Sequence, residues 1–169
     1  ETKIAEEKAE IFIATSEGMA IRSMVKNFRE IGRTGMGVRG IKLGKNDKVV
    51  SMTILHSGDK DKTLLSVTEK GFGKRTKVSE YRLQARGGKG IINIKVTEKT
   101  GNVVAIKLVS DEDELMIITT KGTLIRTKIK DIKTTGRNTQ GVRLIKLKEG
   151  EKVSAVARIA EEDEDEKEK

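Results

Sequence analysis

The chain repeats one pattern three times. Gly18, Gly71 and Gly122 recur at intervals of 53 and 51 residues, and nineteen residues after each stands a second glycine, Gly37, Gly90 or Gly141. Arg22, Arg75 and Arg126 follow the first glycines by four residues, and Arg33, Arg86 and Arg137 precede the second by four. Each second glycine opens an apolar-x-x-apolar-Lys-apolar stretch: Val38…Ile41-Lys42-Leu43, Ile91…Ile94-Lys95-Val96 and Val142…Ile145-Lys146-Leu147. A chain built this way must fold as an array of like units, each hiding its apolar faces against its neighbours. The repeats occupy 10–57, 61–110 and 111–160, after a short remnant strand or linker at 1–9.

Each copy reads as about four short strands, which makes the fold class all-β. The first strand is apolar almost throughout, as in Leu115-Met116-Ile117-Ile118, and suits burial on both faces. Glu17-Gly18, Lys70-Gly71 and Lys121-Gly122 mark hairpin turns. The second strand alternates, with Leu124, Arg126 and Lys128 against Ile125, Thr127 and Ile129. A loop rich in Gly, Arg and Thr follows. The two apolar segments after it, the second being Val49–Leu55, Val103–Val109 or Val153–Ile159, supply the third and fourth strands. Four-stranded units of this length predict a propeller-like array, here a partial one.

The net charge is +9, with 35 Lys and Arg against 26 Asp and Glu, and it is unevenly placed. Residues 161–169 carry −5, so residues 1–160 carry +14. A basic body points to a polyanionic partner, and the acidic tail is too charged to build a core and is expected to be disordered. The aromatics are only Phe12, Phe28, Phe72 and Tyr81, which favours backbone contact with a duplex over base stacking on a single strand. There is no cysteine, hence no disulfide or thiolate site, consistent with a reducing cytoplasm. No apolar run approaches membrane-spanning length. Residue 1 is Glu, so the chain is expected to be a piece of a longer polypeptide.

The Gly-rich loops carry the candidate chemistry. They read Gly32-Arg33-Thr34-Gly35-Met36-Gly37, Gln84-Ala85-Arg86-Gly87-Gly88-Lys89-Gly90 and Gly136-Arg137-Asn138-Thr139-Gln140-Gly141. Glycine lets a backbone approach a phosphate, whose oxygens accept from exposed N–H groups, while Arg and Lys add charge. Arg86, Lys89, Gly87 and Gly88 lead the candidate DNA contacts. Arg33, Arg137, Arg39, Arg143, Lys74, Arg75, Arg22 and Arg126 complete them. Arg22, Arg75 and Arg126 also read as structural charges at a strand edge.

Gly35-x-Gly37-x-x-Gly40 matches a dinucleotide fingerprint by letter but precedes a strand, and Gly87-Gly88-Lys89 lacks the rest of a P-loop. His56 has no partner imidazole or thiol in the sequence, and Asp111–Glu114 reads as a solvated acidic linker. No catalytic constellation stands out, so the chain is expected not to be an enzyme on its own.

The stretch Lys74-Arg75-Thr76…Glu80-Tyr81-Arg82-Leu83-Gln84-Ala85-Arg86-Gly87-Gly88-Lys89-Gly90-Ile91 resembles the C-terminal domain of bacterial DNA gyrase A. Thr135–Val142 and Gly37–Leu43 are similar to the same family. The resemblance implies a β-pinwheel, a propeller variant whose neighbouring blades exchange strands, and places this chain at about three of the family's six blades, the last three plus the tail. It implies non-sequence-specific duplex DNA binding and wrapping that support ATP-dependent negative supercoiling by the parent type II topoisomerase. It also implies a bacterial cytoplasmic, nucleoid-associated setting and the rest of the gyrase A2B2 complex as partners. Cofactors are expected to be absent from this piece, ATP and Mg2+ belonging to other parts of the parent. The family's wrapping box, Gln-Arg-Arg-Gly-Gly-Lys-Gly, is matched at 84–90 except that Ala85 replaces its first arginine.

Two alternatives stay open on sequence: the related C-terminal domain of topoisomerase IV, and a protein-interaction propeller with an incidental basic surface. A partial array with open strand edges also predicts self-association. The tail is expected to compete with DNA for the basic rim.

Overall fold

The computed structural model describes residues 2–160. Residues 2–8 are exposed and form neither strand nor helix. The repeats then supply three hairpins in turn. β1 (Glu10–Thr15) pairs with β2 (Met19–Met24), and the long strand β3 (Val49–Leu55) returns to the other side of β1. The second repeat does the same with β4 (Thr63–Thr68), β5 (Phe72–Lys77) and, past a short β6 (Ile91–Ile92), β7 (Val103–Val109). The third follows with β8 (Glu114–Thr119), β9 (Leu124–Lys128) and, past a short β10 (Val142–Arg143), β11 (Val153–Ile159). All these pairings are antiparallel. A register shift falls at the same place in each copy, where β3, β7 or β11 passes Thr15, Thr68 or Thr119.

Those threonines fix the hairpins. Thr15, Thr68 and Thr119 Oγ1 each accept from the backbone N–H four residues on, that of Met19, Phe72 or Thr123 at 3.2, 3.3 or 3.1 Å. The side-chain acceptor holds the turn closed while the intervening glycine takes positive φ.

The fourth strand is exchanged between repeats, as the family resemblance implies. It does not come from the sheet's own repeat. β6, from the second repeat, pairs with β2 of the first, and β10, from the third, pairs with β5 of the second. The sheet orders are therefore β3-β1-β2-β6 and β10-β5-β4-β7, with a three-stranded β11-β8-β9 last. The stretch after Gly90 or Gly141 contributes only two strand residues, and to its predecessor's sheet, while the stretch after Gly37 contributes none. Gly90 and Gly141 make the transfer possible. A Cβ on Gly90 would lie 2.3 Å from the carbonyl oxygen of Ala20, and one on Gly141 2.4 Å from that of Gly73. Their φ angles are 76° and 77°, so glycine alone fits.

Apolar clusters fill the joints between sheets. Phe12, Ala14 and Leu55 of the first repeat meet Leu64, Tyr81 and Ile106 of the second. Leu65, Val67 and Val109 of the second meet Leu115, Ile117 and Ile129 of the third. Neighbouring residues Leu64 and Leu65 thus point into different joints, and β4 is buried along its whole length. β8 is not: only alternate residues, Leu115, Ile117 and Thr119, are buried, because no repeat among the described residues covers its second face. The expectation of burial on both faces holds for β4 and fails for Leu115–Ile118. Burying one such aliphatic side chain contributes about 1.5–3 kcal/mol, so these joints are the main source of cohesion.

Tyr81 seals the first joint. Its ring meets Phe12 edge-on at 4.9 Å between centroids, and its hydroxyl donates to Asn93 Oδ1 at 2.5 Å. Asn93 Nδ2 donates in turn to Ser66 Oγ at 3.0 Å, so this buried polar group is satisfied. Burial pushes the Tyr81 phenol far above its ordinary value, which leaves it a neutral packing group.

Candidate nucleic-acid interface

Each Gly-rich loop that follows an earlier repeat embraces that repeat's edge. It arrives parallel to the earlier repeat's second strand, with Arg22 bridging Leu83 at one joint and Arg75 bridging Thr134 at the other. It then arcs over and returns antiparallel as β6 or β10. At the first joint the Gly87 N–H donates to the Gly40 carbonyl at 2.6 Å, and the Lys42 N–H to the Gly88 carbonyl at 2.8 Å. At the second, the Lys95 N–H donates to the Thr139 carbonyl at 2.9 Å.

The recurrent loop arginines lie in these seams. Arg86 donates from Nε to the Asn27 carbonyl at 2.9 Å and from Nη1 to the Arg39 carbonyl at 3.1 Å. Arg137 Nη1 donates to the Ile92 carbonyl at 2.8 Å. Gly87 is committed as well, since its N–H is taken. Arg33, at the matching position of the first repeat, is exposed, as are Lys89, Arg39 and Gly88. Arg143 is exposed and stacks its guanidinium over the Phe72 ring, 5.3 Å from the centroid.

Lys74 and Arg75 need correction. Both stand among the expected DNA contacts, Arg75 with a structural role as its alternative, and both are internal. Lys74 is 0% exposed, and its Nζ donates to the carbonyls of Gly136 at 2.6 Å and Arg137 at 2.5 Å. Burial pushes its pKa down to about 8; the Arg137 charge works in the same direction and Glu80 against it. The Arg75 side chain is 7% exposed. Its Nε donates to the Ile132 carbonyl at 2.7 Å and its Nη1 pairs with Asp111. An ammonium or guanidinium enclosed by carbonyls has no face left for a phosphate.

Arg22 follows Arg75. It pairs with Glu10 at 2.5 Å and donates to the carbonyls of Val78 at 3.2 Å and Tyr81 at 2.8 Å, with a side chain 15% exposed. Arg126 pairs with Glu114, yet its side chain is 61% exposed. The acidic linker is not simply solvated. Asp111 and Glu114 hold Arg75 and Arg126, and Asp113 is buried, accepting from the Ser110 N–H at 2.7 Å and from Arg158 at 3.4 Å.

Sequence reasoning passed over the lysine of each apolar-Lys-apolar triplet. Lys42, Lys95 and Lys146 are exposed at one repeat position in all three copies, with no ion pair to the described residues. Their 53- and 51-residue spacing was the available signal. Among the described residues no group of His, Cys, Asp and Glu is arranged to hold a metal ion, and no helix is long and apolar enough to cross a membrane.

Sheets of four strands in which each takes its edge strand from the next repeat, with exposed cations on the donated segments, define a basic β-propeller-type repeat module. The chain belongs to the family described as DNA gyrase C-terminal domain, beta-propeller, whose model matches residues 9–56, 62–110 and 113–160. It is 47% identical over 154 residues to the DNA gyrase A protein of Staphylococcus epidermidis, covering 91% of this chain and 17% of that one. It is also 47% identical over 157 residues to the DNA gyrase A protein of Staphylococcus aureus, covering 93% of this chain and 18% of that one. The chain thus spans under a fifth of the length of these relatives. A solved C-terminal domain of DNA topoisomerase IV superposes with a TM-score of 0.84 at 22% identity, over 91% of this chain and 47% of that one. A solved DNA gyrase A C-terminal domain gives 0.83 at 24% identity, over 92% and 52%. These two likenesses concern the fold.

Proposed function

We propose that this chain binds duplex DNA along its sugar-phosphate backbone, without sequence preference, and helps to bend it for a parent type II topoisomerase. The observation that carries the reading is the exposed lysine repeated at one position of three successive units, Lys42, Lys95 and Lys146, beside the exposed Lys89, Arg39 and Arg143. Cations set at regular steps along an array neutralise successive phosphates. Bending a duplex of 20–30 base pairs costs on the order of 1–6 kcal/mol, which such contacts offset. The charge of +14 on residues 1–160 and the family membership support the same reading. In the parent, the module would act with the rest of the gyrase complex inside the bacterial cytoplasm, where ATP drives negative supercoiling elsewhere in the enzyme.

The test is affinity for a linear duplex of about 40 base pairs across a salt series, where each phosphate neutralised adds about 0.9 to the logarithmic slope. A steep slope, equal on unrelated sequences, is the expected result. Absence of binding at low salt would overturn the proposal.

A further inference from the structure

We infer that Arg86 and Arg137, the loop arginines with the strongest claim to phosphate on sequence, are positioning residues that clamp the preceding repeat's segment into its DNA-facing pose. The inference rests on the DNA-binding reading above. Arg39 and Ile92 hold the same place in consecutive repeats, and each has its carbonyl gripped by the next repeat's arginine, at 3.1 Å from Arg86 and 2.8 Å from Arg137. Around Arg86 the seam is zipped further. Gly87 and Gly88 exchange backbone hydrogen bonds with Gly40 and Lys42 at 2.6 and 2.8 Å. A Cβ on Gly87 would already lie 3.5 Å from the Arg39 carbonyl oxygen, so the two backbones run close.

The geometry divides labour between charge and position. Arg86 spends both Nε and Nη1 on carbonyls of the first repeat, Asn27 and Arg39. A guanidinium held in that way lacks the free fork with which arginine grips a phosphate. The backbone it holds carries Arg39 and Lys42, two exposed side chains with no ion pair to the described residues. Those are the phosphate contacts at this joint, and Arg86 acts through them. At the next joint Arg137 holds Ile92, three residues before Lys95.

The experiment uses the full chain with Arg39→Gln, Arg86→Gln, Arg86→Lys and the double variant Arg39→Gln/Arg86→Gln. Arg39→Gln should lower the salt slope by about 0.9, and affinity roughly fivefold at 0.15 M salt. Arg86→Gln and Arg86→Lys should both weaken binding, since lysine keeps the charge but not the two directed bonds. The double variant should bind no worse than the weaker single one. Wild-type affinity in Arg86→Lys, or slope losses that add to about 1.8 in the double variant, would assign Arg86 to phosphate and overturn the inference. A second readout is independent of DNA. Amide exchange at Lys42 and Gly87 in the free protein should quicken in both Arg86 variants and not in Arg39→Gln. Unchanged exchange would overturn the clamp. Failure of the unaltered chain to bind duplex would sink the DNA reading alone, with the clamp still judged by exchange.

Discussion

The second and third repeats share one pattern and meet different fates. Arg75 and Arg126 occupy the same position, yet one side chain is 7% exposed and the other 61%. Leu65 is buried, and its counterpart Met116 is only half-buried. β5 receives β10 from the following repeat, while β9 receives no strand among the described residues. The local sequence does not account for this. What differs is whether a further repeat lies alongside. A following repeat supplies the carbonyl that Arg75 grips, the strand that completes the sheet and the apolar face that covers Leu65. In a strand-exchanging array, therefore, a residue's role is set by its joint as much as by its own repeat.

Paired substitutions at equivalent positions sharpen or break that contrast. The largest difference is expected between Gly141→Ala and Gly122→Ala. Both glycines have positive φ, but the Gly141 Cβ would strike the Gly73 carbonyl, while that of Gly122 meets nothing within 4 Å. We expect a loss on the order of 4 kcal/mol for Gly141→Ala and about 1 kcal/mol for Gly122→Ala, read from chemical denaturation. Equal losses would mean that the donated strand adds nothing. Next, Leu65→Ala should cost about 2–5 kcal/mol by opening a cavity in the second joint, and Met116→Ala clearly less. Third, Arg75→Ala should cost about 2–3 kcal/mol, since it strips a charged donor from a buried carbonyl, whereas Arg126→Ala should stay below about 1 kcal/mol. Matching effects at either pair would show that a neighbour's cover is energetically idle.

The last effect, one of pH, concerns Lys74. Its folded pKa of about 8 lies below the ordinary lysine value of 10.5, so the folded state gives up its proton first. Between those two values the unfolded chain binds more protons, and stability therefore rises with pH. The neutral amine keeps two N–H donors for the carbonyls of Gly136 and Arg137. A Lys74→Met variant should lack this rise, measured as the difference in unfolding free energy between the two proteins across the window. A wild-type curve parallel to that of the variant would show that Lys74 does not titrate early.

Much of this was legible in the sequence. The repeat spacing gave the number of units, and the positions of Gly18, Gly71 and Gly122 gave the hairpins. The family likeness at 74–91 implied strand exchange. What the sequence could not show is which partner each charge finds. Arg86 reads as a phosphate ligand because arginine recurs at its offset in three glycine-rich loops, and the carbonyls of Asn27 and Arg39 that occupy it lie 59 and 47 residues away. Lys74 sits in a strand whose counterparts are Ile21 and Ile125, and that substitution at an apolar position was the one local hint that it is internal. Thr15, Thr68 and Thr119 recur with the same spacing as the glycines, but a turn lock does not announce itself by charge.

The donated strand also bears on how such a chain is made. No sheet with a following repeat completes itself from its own residues. The first lacks its edge until Ile91 and Ile92 have left the ribosome, and the second until Val142 and Arg143 have done so. Folding during synthesis therefore runs one unit behind translation, with the newest hairpin always waiting for a strand that has yet to be made. A pause in elongation just before such a strand would prolong the life of an open edge, the state most prone to pairing with the wrong chain.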